Sequence, residues 1–234
     1  MKIVGLQKMT LLDFPGKVAC TVFLDGCNFR CPFCHNTPLL ENKAEACMTE
    51  EELFSFLKKR QGILDGVCVT GGEPTLQKEL PDFLRKIKAL GYAVKLDTNG
   101  YRPEVLRGVV EQGLVDYVAM DLKNCPGRYS QTTGVDIDLG KIEASIQYLV
   151  SGIVDYEFRT TVVHPLHDAQ SIRQMGEWLK TITGGKPANA LYLQAFTDRD
   201  SVCFDGLSAP TAETLEDYKS LLVHAAKTIG LRGV

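Results

Sequence analysis

The strongest constraint in this chain is an alternation. Short apolar runs recur at 18–24 (VACTVFL), 66–70 (GVCVT), 93–97 (AVKLD), 115–120 (VDYVAM), 156–163 (YEFRTTVV) and 190–196 (ALYLQAF). Their length and β-branched content read as strands. Helical patterns lie between and after them. Thr49 and Glu52 form a capping box ahead of Leu53, Phe56 and Leu57. Leu80, Phe83, Leu84 and Ile87 share one face, and Gly91 stands where a helix-ending glycine belongs. Residues 103–112 read as a third helix stopped at Gly113, and Ile142, Ile146 and Leu149 mark a fourth. Asp168 caps a fifth that carries Ile172, Met175 and Leu179; Leu215, Tyr218, Leu222 and Ala225 predict a sixth ending near Gly230. Six strands, each followed by a helix, imply a parallel sheet with right-handed crossovers. Periodicity leaves open whether that sheet is flat or curved into a barrel. Either form places ligands at the C-terminal ends of the strands.

With 234 residues, the chain buries a core without disulfide staples. No Pro/Ser-rich linker and no internal repeat interrupts it, so a single domain over 1–234 is expected, with residues 1–16 leading into the core. A net charge of −3 gives no basic field for nucleic acid or a membrane surface. No apolar run approaches the roughly 18 residues of a membrane span. The N-terminal MKIVGLQKMTLLDFPGK lacks the apolar stretch of a signal peptide, so a cytoplasmic location is expected. In that reducing compartment the eight cysteines are not a disulfide framework.

The loops after the strands carry the chemistry-bearing residues: DGCNFRCPFCHN (25–36), TGGEPT (70–75), DTNG (97–100) and MDLKN (120–124). Cys27, Cys31 and Cys34 follow a C-x3-C-x2-C spacing, one ligand short of a closed tetrahedral site. A structural zinc site wants four ligands, and a C-x-x-C redox pair leaves Cys27 unexplained. The spacing fits a 4Fe–4S cluster with one iron left open, with zinc and redox readings as alternatives. Cys20 and Cys68 lie inside strands and read as small core residues; Cys47, Cys125 and Cys203 form no second-cluster pattern. His35 reads as a hydrogen-bonding wall of the site, His164 and His167 as loop residues, and His224 as a surface residue of the last helix.

C-x3-C-x2-C with Phe33 before the last cysteine resembles the signature of the radical S-adenosylmethionine (SAM) superfamily. GGEP (71–74) resembles the superfamily motif that holds the SAM amino group, and DTNG, MDLK, LLDFPGK (11–17), GCNFRCPFCHN (26–36) and LKNCPGRYSQTTG (122–134) resemble the branch that activates glycyl-radical enzymes, such as anaerobic ribonucleotide reductase and pyruvate formate-lyase. The resemblance runs from about residue 3 to 200. It implies an α/β fold, a partial (β/α)6 TIM-like barrel of parallel strands. It implies one 4Fe–4S cluster held by Cys27, Cys31 and Cys34, with SAM on the open iron. The expected activity is reductive cleavage of SAM to a 5′-deoxyadenosyl radical, which takes hydrogen from a glycine of a partner glycyl-radical enzyme. A flavodoxin or ferredoxin is the expected electron donor.

The same resemblance assigns roles to individual residues. Phe33 would pack near the cluster and the adenine. Gly71 and Gly72 would let backbone approach SAM, and Glu73 would accept a hydrogen bond from its ammonium, directly or through neighbouring backbone. Asn99 would meet the nucleoside, and Lys123 the carboxylate or ribose region. Arg159 would point into the site and pair with a carboxylate. Asp97 and Asp121 would repel a ligand carboxylate, so a monovalent cation near them is expected. Just after the last predicted strand, where the pyruvate formate-lyase activator has a histidine, this chain has Thr197 and Asp198. That departure favours ribonucleotide-reductase-type activators or a related group of the same branch. Two other functions compete: a radical SAM enzyme acting on a small molecule, and a non-catalytic metal module that binds a partner.

Overall fold

A computed structural model describes residues 1–40, 43–199, 202 and 204–233. Two compact units make up the chain, Met1–Asn28 with Pro38–Ala119, and Phe29–Thr37 with Met120–Val234. Cys203 lies outside the described residues.

The first unit contains β1 (Ile3–Thr10), β2 (Ala19–Leu24), α1 (Glu50–Lys59), β3 (Gly66–Gly71), α2 (Leu80–Ala89), β4 (Ala93–Thr98) and α3 (Pro103–Glu111). β2, β3 and β4 pair in parallel in chain order. Val22, Val67, Val69, Val94 and Leu96 on these strands are buried, as are Leu53, Leu57, Leu84 and Ile87 on the helices. Each fully buried aliphatic side chain of this size contributes roughly 1.5–3 kcal/mol. The Thr49–Glu52 capping box that starts α1 is present in both directions. Gly91 and Gly113 follow their helices with positive φ, as the sequence predicts.

Residues 3–10 do more than lead into the core. They form β1, antiparallel to β2, with two register irregularities. Its pattern is only weakly alternating, because most of its side chains are half-buried or exposed. Thr10 pairs with Ala19, so the LLDFPGK connection sits at the N-terminal end of β2, away from the cysteines that follow its C-terminal end. There Phe14 packs on Ala19 and Cys68.

β5 (Tyr117–Asp121) begins in the first unit and ends in the second. The second unit continues with α4 (Tyr129–Thr133), α5 (Leu139–Val150), β6 (Asp155–Val162), α6 (Ala169–Ile182), β7 (Ala188–Ala195), α7 (Ala212–Leu221) and β8 (Ala226–Arg232). β6, β7 and β8 are parallel and pair in chain order. Asp168 caps α6 by accepting from Ser171 N.

The sixth predicted helix is shorter than expected. α7 stops at Leu221, Leu222 and Ala225 are buried in the turn that follows, and His224 lies in that turn. Residues 226–232 instead extend along β7, where the β-branched Thr228 and Ile229 suit a strand. β8 is mostly exposed or half-buried, so it lacks the apolar run that marked the other strands.

Candidate active site

In the first unit, the loops after β2, β3 and β4 are fastened to one another by backbone. Gly72 N donates to Leu24 O, and Glu73 N to Gly26 O at 2.8 Å. Both glycines are obligatory here. A Cβ on Gly71 would stand 2.2 Å from Leu24 O, and one on Gly72 would stand 2.0 Å from Gly26 O and 3.2 Å from Cys27 N. The GGEP loop therefore lies backbone to backbone against the residue that carries the first cysteine.

The Glu73 carboxylate is buried and fully engaged. Oε1 accepts from Thr75 N, Thr75 Oγ1 and Thr98 Oγ1, while Oε2 accepts from Asn99 N at 2.6 Å. Burial pushes its carboxyl up, against the pull of the hydrogen bonds from Thr75, Asn99 and Thr98. Its side chain ties the GGEP loop to DTNG. Asn99 continues the link by donating from Nδ2 to Asn28 Oδ1, beside Cys27. Buried Asn28 Nδ2 makes no hydrogen bond. Asp97 is paired with Lys95.

In the second unit, Cys31 and Cys34 lie half-buried on the 29–37 loop. Cys34 N donates to Cys31 O, and Thr37 Oγ1 to Cys34 O. α4 fixes the start of this loop: Arg30 N donates to Thr133 O at 2.7 Å. Burial pushes the Cys31 thiol up to about 11, with the Lys123 charge pulling the other way. Phe33 is buried among Val163, Leu166 and Phe196. Its ring also lies under the Lys123 ammonium, 5.9 Å from the centroid. His35 is held by Thr197 O at 2.6 Å and stacks on Phe196.

Lys123 Nζ donates to Asp121 Oδ2, and Arg159 donates through Nε and Nη2 to Asp121 Oδ1. Burial favours the neutral acid, but the Lys123 and Arg159 charges outweigh it and hold the Asp121 carboxyl at about 2. Burial also opposes the Lys123 charge; Asp121 and Cys31 reverse it and hold the ammonium above the ordinary lysine range.

Sequence reasoning missed several residues that build this half. His167 is buried and bridges Lys123 O at 2.8 Å to the Val163 backbone, and burial depresses its imidazole. Asn124 donates to Thr132 Oγ1 and Leu166 O. Tyr129 is fully buried and edge-on to Trp178, and its hydroxyl makes no hydrogen bond. The signal for Asn124 and Tyr129 was the polar LKN and TTG flanking the Tyr129 segment; His167 was read only as a loop residue.

The Radical SAM superfamily model matches residues 21–182. This chain belongs to the radical SAM superfamily. A Methanocaldococcus jannaschii protein named as a glycyl-radical enzyme activating enzyme is 35% identical over 182 residues, covering 75% of this chain and 74% of the relative. The pyruvate formate-lyase 1-activating enzyme of Escherichia coli K12 is 27% identical and covers 94% of each. Relatives named 7-carboxy-7-deazaguanine synthase also match. Among solved structures, a domain of a pyruvate-formate lyase-activating enzyme from Bacteroides vulgatus superposes with a TM-score of 0.57 at 22% identity, covering 70% of this chain and 98% of that one. It shares the parallel α/β fold of this radical SAM chain.

The superfamily implies a 4Fe–4S cluster and SAM. The donors suit such a group: three half-buried thiols within eight residues, and soft thiolates are the ligands iron–sulfur clusters take. Among the described residues, no three His, Cys, Asp or Glu side chains are gathered as the ligands of a single ion. The Gly72–Cys27 approach leaves no room for a side chain where the GGEP loop meets the cysteine segment.

Proposed function

We propose that this chain activates a glycyl-radical enzyme, with an anaerobic ribonucleotide-reductase-type protein as partner and a flavodoxin or ferredoxin as electron source. The observation that carries this reading is the similarity, over three quarters of both chains, to a protein named for that activity. Cys27, Cys31 and Cys34 would hold the cluster. When bound, the cluster and SAM supply a 5′-deoxyadenosyl radical able to take hydrogen from a glycine Cα.

The chain's own residues position and shield. Gly71 and Gly72 keep backbone, not side chain, beside the cysteine segment. Glu73 acts as a strut for that backbone, since four donors already occupy its carboxylate. Asn99 would present its loop to the nucleoside. Phe33 would exclude water from the thiolates, and Lys123 and Arg159, steadied by Asp121, would set the charge facing the ligand carboxylate.

The test is anaerobic. The iron-loaded protein is mixed with reductant, SAM and a candidate glycyl-radical partner. A doublet radical signal on the partner, with 5′-deoxyadenosine formed in step, is the expected result. Deoxyadenosine release without a protein radical, across candidate partners, would move the assignment to small-molecule chemistry. Stoichiometric zinc and no visible absorption would remove both.

A further inference from the structure

Lys95 lies in the middle of β4 and is 1% exposed. Lysine is almost never buried to this degree unless its charge is met. Its register neighbour on β3 is Cys68, and the neighbour of Cys68 on β2 is Thr21, so a polar row crosses three strands. Thr21 donates its hydroxyl to Asp13. Burial pushes the Cys68 thiol up to about 12, with Lys95 opposing and Asp97 and Asp13 adding to the rise. Cys68 is therefore a neutral neighbour rather than a counter-ion. The ammonium is hydrogen-bonded to Asp97, two residues on and on the same face of the strand.

A monovalent cation was expected near Asp97 and Asp121. We propose instead that the Lys95 ammonium is the built-in cation of the Asp97 site, so that this chain needs no alkali metal ion there. A tethered ammonium meets the carboxylate without the translational cost of capturing an ion from solution, and a low-dielectric setting strengthens the pair. Asp121, in its own unit, likewise holds two covalent cations, Lys123 and Arg159. The SAM-binding part of the test below rests on the proposed function; the stability part does not.

The first readout is the melting temperature of the cluster-free protein in potassium, sodium or tetramethylammonium chloride at equal ionic strength. The wild-type protein should melt at one temperature in all three. Lys95→Met should melt lower in tetramethylammonium and recover in potassium or sodium, because Asp97 then takes an ion. A Lys95→Met, Asp97→Asn double variant should lose that cation sensitivity. A wild-type protein stabilised by alkali ions but not by tetramethylammonium would overturn the proposal, as would a folded Lys95→Met indifferent to the salt. Should Lys95→Met not fold, the double variant and the wild-type comparison decide. In the second readout, SAM affinity of the iron-loaded wild type should be equal in potassium and tetramethylammonium, while Lys95→Met should bind about tenfold more weakly without potassium. A wild type that binds no SAM in any salt would overturn the function proposed above and leave the melting result standing.

Discussion

Gly134 lies directly against the Arg30 carbonyl: a Cβ on Gly134 would stand 2.2 Å from Arg30 O. Gly134 ends α4 with a φ of +70°. Thr133, one residue earlier, accepts from Arg30 N. The end of the Tyr129–Thr133 helix thus grips the backbone one residue before Cys31, which gives the segment YSQTTG a physical reason to be there.

Gly134→Ala should therefore be costly in two ways. The left-handed backbone penalises any Cβ, and the methyl has no room. Together these predict a loss of about 2–4 kcal/mol in urea unfolding of the cluster-free protein. Iron uptake on anaerobic reconstitution should fall as well, since the displaced backbone is that of the Cys31 loop. A variant of wild-type stability would show that α4 can step aside.

The parts of the fold read from sequence were those with a local signature. The caps at Thr49 and Asp168 and the glycines at 91 and 113 are set by a few neighbouring residues. β1 and β8 were not legible, because their side chains are mostly half-buried or exposed and leave no apolar run. In the site, the cysteine spacing was legible; the protein partners of Lys123 and Glu73, which are Asp121 and a ring of four donors, were not. Lys95 was legible only as a strand residue. Its one clue was the acid two positions on, on the same face of a strand too apolar to carry a bare charge.

Glu73→Ala should destabilise the cluster-free protein by about 3 kcal/mol or more, because the buried Thr75 and Asn99 amides then have no acceptor. Glu73→Gln keeps one acceptor oxygen and should lose about half as much. Urea unfolding of the two variants checks this ordering; equal losses would mean that a single acceptor oxygen preserves nothing and that both carboxylate oxygens are needed.

The cysteines should separate cleanly on substitution by serine. Cys27→Ser, Cys31→Ser and Cys34→Ser should each lose the brown colour and most of the iron. Cys20→Ser, Cys47→Ser, Cys68→Ser and Cys125→Ser should retain both, although the three buried sites among them will melt lower. Iron content and visible absorption measured anaerobically decide it. Loss of iron from Cys47→Ser or Cys125→Ser would point to a second metal site.

Tyr129→Phe should behave opposite to most core substitutions. A buried hydroxyl without a partner is a standing cost, so removing its oxygen should leave the cluster-free protein unchanged or more stable by up to about 1 kcal/mol. A loss larger than about 1 kcal/mol would show that the hydroxyl has a hydrogen-bond partner in the folded protein.

Asp121 gives a pH dependence whose sign is fixed by its two cations. Its carboxyl is held at about 2, against 3.8 for an ordinary aspartate. The folded state therefore binds that proton more weakly than the unfolded chain does. The stabilisation is complete above the ordinary value and disappears as pH falls from about 4 toward 2. Asp121→Asn leaves Lys123 and Arg159 sharing a neutral amide, which should cost on the order of 1–2 kcal/mol at pH 7 for this partly exposed group. The gap between wild type and variant in urea unfolding should stay constant from pH 7 to about 5 and narrow below 4. A gap that widens on acidification would mean that Asp121 is not the group that holds these two cations.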